Sequence, residues 1–163
     1  MEGAAGGTRG VGGDSGRVTL LRRLDHVAVV VRDTESALAF YSGKLGLSVA
    51  SSEEVASPHV KLTYLDAGNA YLQLVEPLDD QSPLARWLDE HGEGLHHICF
   101  GVDDVEEAVA SLSDPGTEVV LGSGRGRASA FVTSDAANGV VVELTGFDAE
   151  TDVDAAPGYL GTR

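Results

Sequence analysis

The sequence predicts an α+β domain in which two tandem βαβββ units form one curled open sheet. Three observations predict it. A strand-like stretch occurs twice, each copy runs into a helix start, and each helix is followed by three apolar segments. The first copy is Leu24-Asp25-His26-Val27-Ala28-Val29-Val30-Val31-Arg32-Asp33, and the second is Leu95-His96-His97-Ile98-Cys99-Phe100-Gly101-Val102-Asp103-Asp104. His26 and His97 occupy the same place in the two copies, 71 residues apart.

Both apolar runs read as strands. The first helix starts at Asp33-Thr34-Glu35-Ser36 and continues through Ala37-Leu38-Ala39-Phe40-Tyr41; the second starts at Asp103-Asp104-Val105-Glu106 and continues to Leu112. Asp or Thr at these points can cap the free N–H groups, and the acidic side chains suit the positive end of the helix dipole. Gly43 and Gly46 stop the first helix, and Pro115-Gly116 stops the second. The three strands that follow are expected at Leu47–Ala50, Val60–Leu65 and Ala70–Val75, and then at Val119–Leu121, Ala128–Val132 and Val140–Leu144. The unit ends match as well, since Tyr71-Leu72-Gln73-Leu74 aligns with Val141-Val142-Glu143-Leu144 at an offset of 70. Between the units, Ser82-Pro83-Leu84-Ala85-Arg86-Trp87-Leu88 predicts a linker helix with Pro in its first turn.

Residues 1–17 are rich in Gly and poor in large apolar groups, which predicts disorder. The tail 148–163 is acidic and aperiodic, and the same is expected of it. The ordered domain is then residues 18–147, with units at about 21–78 and 93–147 and the linker helix at about 82–90. A chain of 163 residues is long enough for one such domain with a real core. The net charge of −15, with 26 acidic residues and only two lysines, argues against nucleic acid or an anionic membrane as partner. No apolar run approaches the roughly 18 residues of a membrane span, and the N-terminus lacks the apolar core of a secretory signal. A cytoplasmic address is expected. The single Cys99 sits in an apolar run and is expected to be a buried, inert thiol.

Each unit carries one ligand-type residue in its first strand and one in its last: His26 and Gln73, then His97 and Glu143. All four lie among Val, Leu and Ile, where an unpartnered polar side chain is costly to bury. Two related units curling into one sheet would bring the four positions together. Two imidazoles, an amide oxygen and a carboxylate make a borderline-hard N/O set, suited to one divalent Co, Mn, Ni, Zn or Fe ion. By strand alternation His96 should point to the opposite face from His97, into packing or a supporting bond. His91 reads as surface, and His59 as a weak candidate for substrate contact. The turn Gly122-Ser123-Gly124-Arg125-Gly126-Arg127 reads as flexible, its arginines either solvated or touching an anionic ligand.

These motifs resemble the vicinal-oxygen-chelate superfamily, which includes glyoxalase I, extradiol dioxygenases, bleomycin-resistance proteins and methylmalonyl-CoA epimerases. The epimerase pattern is the nearest. It is carried by Leu24-Asp25-His26-Val27-Ala28, by Tyr71 to Leu78, by the linker helix leading to Gly92-Glu93-Gly94-Leu95-His96-His97-Ile98, and by Gly139 to Thr145. The resemblance implies a glyoxalase-type fold over about residues 21–147 and a metal held by His26, Gln73, His97 and Glu143. It implies epimerisation of a 2-methylmalonyl-CoA-like thioester through a metal-chelated enolate, with Glu143 as catalytic base. The expected partners are an acyl-CoA and a second copy of the chain, as a homodimer. Other activities of the superfamily, a glyoxalase-type lyase, a dioxygenase or a non-catalytic binding or resistance module, are the alternatives.

Two positions depart from the epimerase pattern. Bacterial epimerases often carry a second glutamate on the third strand, and the equivalent position here is Leu62, which cannot transfer a proton. The partner acid is then to be sought among Lys61, Tyr64, His59 or water. The other departure is Phe131-Val132-Thr133-Ser134, where the family commonly has Phe-x-His-Pro.

Overall fold

The structure is a computed structural model that describes residues 20–112 and 114–148. The expectations for the tails lie outside the described residues, apart from Asp148. The first unit runs β1 (Leu21–Val30), α1 (Thr34–Tyr41), β2 (Ser48–Ala56), β3 (His59–Asp66) and β4 (Tyr71–Pro77). After α2 (Pro83–His91) the second unit repeats the order with β5 (Gly94–Val102), α3 (Val105–Leu112), β6 (Glu118–Gly124), β7 (Arg127–Thr133) and β8 (Val141–Gly146).

All eight strands form one sheet in the order β2-β3-β4-β1-β5-β8-β7-β6. The order is a palindrome of the repeat. β1 lies parallel to β4 and β5 parallel to β8, while β1 and β5 pair antiparallel at the centre. The two first strands of the repeat are therefore neighbours, which places His26 and His97 near the middle of the sheet.

Local chemistry explains the helix ends. The Asp33 side chain accepts from the Ser36 N–H, Asp104 from Glu107, and Ser82 from Ala85 with Pro83 at the first turn of α2. α1 covers Val29, Val31, Leu65 and Leu74, while α3 covers Val102, Val132 and Leu144. α2 instead packs Leu84, Trp87 and Leu88 against Ala28, Val30, Leu62 and Tyr64. Because side chains alternate along a strand, His26 shares a face with Ala28 and Val30, so α2 closes one end of the face that carries the histidines.

β2 and β6 are longer than the apolar pattern predicts. β2 continues through Ser51-Ser52-Glu53-Glu54, and β6 through Gly122-Ser123-Gly124. Both are edge strands. An edge strand with a solvated face carries polar residues, so its extent is hidden from a search for apolar runs.

Candidate metal centre

The central strands bring three of the four expected ligands into contact. The Nε2 atoms of His26 and His97 lie 3.3 Å apart, and Glu143 Oε2 lies 3.1 Å from each. All three side chains are buried. The register accounts for this, because Ala28 pairs with His97 and Cys99 pairs with both His26 and Glu143. Gln73 arrives on β4, where it pairs with Ala28, so Gln73 and His97 flank Ala28 on its two sides. Its Nε2 donates to the Tyr64 hydroxyl at 2.7 Å, while its buried Oε1 has no hydrogen-bond partner among the described residues.

These observations fit a cation. Atoms about 2.1 Å from a metal and at right angles about it are roughly 3.0 Å apart, close to the spacing of the His and Glu atoms. An amide oxygen buried without a donor is costly unless something positive meets it.

The residues before the two histidines were where strand alternation misled. The ladder slips between Leu24/Phe100 and His26/Cys99, leaving Asp25 as an extra residue in β1. It slips again between Ala28/His97 and Val29/Leu95, leaving His96 as an extra residue in β5. These bulges sit at equivalent positions of the repeat and turn each preceding side chain toward its ligand. Asp25 Oδ1 stands 2.8 Å from His26 Nδ1, and His96 Nδ1 stands 2.8 Å from His97 Nδ1. His96 therefore makes the expected supporting bond, to His97 itself, but does so from the same side and does not point away. Its ring also meets Trp87 of α2 edge-on at 4.9 Å. Metal-binding imidazoles commonly donate their second N–H to such a partner, which fixes the tautomer. Asp25 is the functional residue that sequence reasoning missed, and only the equivalence of Asp25 and His96 one place before each ligand could have signalled it.

Burial opposes charge on Glu143, yet the bonds to His26 and His97 outweigh it and hold the carboxyl well below its usual range. Burial likewise opposes charge on His26, but Asp25 and Glu143 raise its pKa. His97 is lowered by burial despite Glu143, and His96 is lowered to about 4 by burial and by its neighbour His97. Tyr64 is pushed up by burial, so its hydroxyl keeps its proton. Cys99 is buried and its thiol is also pushed up, first by burial and then by Glu143 and Asp25, in line with an inert thiol.

The remaining candidates separate cleanly. Leu62 lies in the apolar cluster beside Tyr64. Lys61 is turned the other way, to Glu35 of α1 at 3.5 Å. His59 is exposed at the start of β3, and exposed His91 stacks on Trp87. The turn between β6 and β7 is a tight hairpin, with Arg125 and Gly126 both at positive φ (52° and 72°). The Arg125 guanidinium is not solvated, as one of the two readings had it, but faces inward and pairs with Asp25. Arg127 donates to the Gly146 carbonyl at 3.3 Å.

Residues 25–133 match the family described as the Glyoxalase/Bleomycin resistance protein/Dioxygenase superfamily. The chain belongs to that superfamily. Within it, the chain is 35% identical to the mitochondrial methylmalonyl-CoA epimerase of Homo sapiens, across 80% of this chain and 77% of the relative. It is 34% identical to the ethylmalonyl-CoA/methylmalonyl-CoA epimerase of Cereibacter sphaeroides, across 77% of this chain and 98% of the relative. Its fold matches a Streptomyces coelicolor methylmalonyl-CoA epimerase variant in complex with 2-nitronate-propionyl-CoA, with TM-score 0.71 and 31% identity over 79% of this chain and 99% of that one. By family the chain is an enzyme, an isomerase of the epimerase type.

Proposed function

We propose that the chain is a metal-dependent epimerase of a 2-methylmalonyl-CoA-like thioester. The observation that carries this reading is the convergence of the His26, His97 and Glu143 ligand atoms within 3.3 Å of one another, in a chain whose relatives are named as epimerases. His26, Gln73, His97 and Glu143 would hold one divalent ion, Co, Mn, Ni, Zn or Fe by their N/O character. Such an ion would supply Lewis-acid stabilisation of the charge that develops on the thioester oxygen as the α-proton leaves, worth several kcal/mol.

The protein's own groups do the rest. Glu143 is ionised at working pH, so it enters the reaction as a base and accepts the α-proton. Inversion needs a proton delivered to the opposite face. The first unit offers hydrocarbon at Leu62 and, two residues on, the protonated Tyr64 hydroxyl beside Gln73. We assign the return of the proton to Tyr64. Val30, Val60, Leu62 and Val75 pack with Tyr64 in one apolar cluster, and burial of this kind strengthens charge interactions beside it.

No described helix is long and apolar enough to cross a membrane. The cytoplasmic address and the homodimer remain part of the proposal, and light scattering of the purified chain tests the second. The reaction itself is tested by incubating the protein with 2-methylmalonyl-CoA in deuterated water and weighing the product. An epimerase introduces deuterium at the α-carbon; metal-replete protein that introduces none contradicts the assignment.

A further inference from the structure

The β6–β7 turn comes from the second unit, yet its contacts are with the groups that support the first unit's two ligands. The Arg125 guanidinium pairs with Asp25, whose same carboxylate oxygen stands 2.8 Å from His26 Nδ1. It also lies 4.8 Å from the ring centre of Tyr64, whose hydroxyl receives the Gln73 amide, and 5.4 Å from the ring centre of Tyr71. The backbone is anchored too. The Arg125 N–H donates to Glu53 Oε1 at 2.6 Å, and a Cβ on Gly124 would stand only 3.2 Å from the Tyr64 hydroxyl. Arg125 holds φ 52°, a left-handed conformation that a side-chain-bearing residue adopts only at a cost.

From these contacts we infer that Arg125 is a positioning residue, which orients His26 through Asp25 and Gln73 through Tyr64. The inference rests on the proposed cation site and deepens it. A guanidinium held against both supports keeps Asp25 facing the His26 ring, so that the ring N–H lies on Nδ1 and Nε2 is left as the ligand. The same cation over the Tyr64 ring fixes the phenol, and the phenol takes the Gln73 N–H₂ and leaves Oε1 for the site. Ligands from one unit are thus held by a hairpin of the other.

The test uses the full chain and two variants, Arg125→Met and Arg125→Lys. Co²⁺ is titrated into metal-stripped protein, and the tautomer of His26 in the metal-free chain is read by ¹⁵N NMR at a pH high enough that its ring signals are those of neutral imidazole. Arg125→Met should weaken Co²⁺ binding about tenfold or more and leave His26 as a mixture of tautomers, with part of both effects recovered in Arg125→Lys. Binding within about twofold of wild type together with an unchanged His26 tautomer would overturn the inference. If Arg125→Met does not fold, Glu53→Ala frees the turn at its backbone anchor and leaves the Arg125 side chain in place. A loss of about threefold or more in Co²⁺ affinity then supports the role, and none overturns it. A wild type that takes up no Co²⁺ defeats the cation reading, while the tautomer of His26 still decides the role of Arg125.

Discussion

Glu143 combines two properties that pull against each other. It is buried, which raises a carboxyl pKa, and it is bonded to two imidazoles, which lowers it further than burial raises it. The net result is an anion in an apolar cup. Glu143→Gln keeps the shape and removes the charge, so α-deuterium exchange should fall by at least about a hundredfold, within the usual range for a general base. Exchange retained within tenfold would move the base elsewhere. His26 gives a pH dependence with a definite sign. Its pKa is raised in the metal-free protein, so it holds a proton at higher pH than an ordinary histidine, and a cation must displace that proton. Affinity for Co²⁺ should therefore decline as pH falls, starting above the ordinary histidine value of about 6.5. A flat profile between pH 8 and about 6 would show that His26 does not ligate. At this scale the four candidate positions could be read from the chain, because polar residues recur at equivalent places among apolar ones. Their supports could not, because Asp25 and His96 face inward only through bulges that break strand alternation.

The hairpins and edge strands show where element-level reading was sound and where it stopped. Helix starts were legible from Asp33, Ser82 and Asp104, since capping is a local property. The lengths of β2 and β6 were not, because their outer halves are polar. Nor was the inward course of the β6–β7 turn, since Gly122 to Arg127 gives no local sign that Asp25, a hundred residues away in sequence, will meet Arg125. β3 carries the clearest test at this scale. Leu62 stands beside Tyr64 on the face of the site, and in the proposed mechanism that buried tyrosine of raised pKa returns the proton. Loss of the α-proton to solvent should then outrun inversion in the wild type. Leu62→Glu places a carboxylate on that strand and should raise inversion relative to washout about tenfold. The substitution puts a charge in an apolar cluster, so melting temperature must be measured beside it. A folded Leu62→Glu variant with an unchanged ratio would remove β3 from the proton path.

Across the whole molecule, the palindromic strand order is what turns a repeat in sequence into a site in space. Equivalent strands β1 and β5 are neighbours, and β4 and β8 flank them, so the ligand positions of both units fall on the four central strands. Neither unit alone places more than two of the four. The arrangement followed from the repeat once the units were assumed to share a sheet; the coupling of the halves through Arg125 did not. Metal content is the sharpest test of the proposed centre. Purified wild-type chain should carry about one divalent ion, measured by plasma mass spectrometry, and His26→Ala/His97→Ala should carry almost none and melt lower, because a bound ligand stabilises the native state. Equal metal in the two proteins would show that these histidines hold no ion.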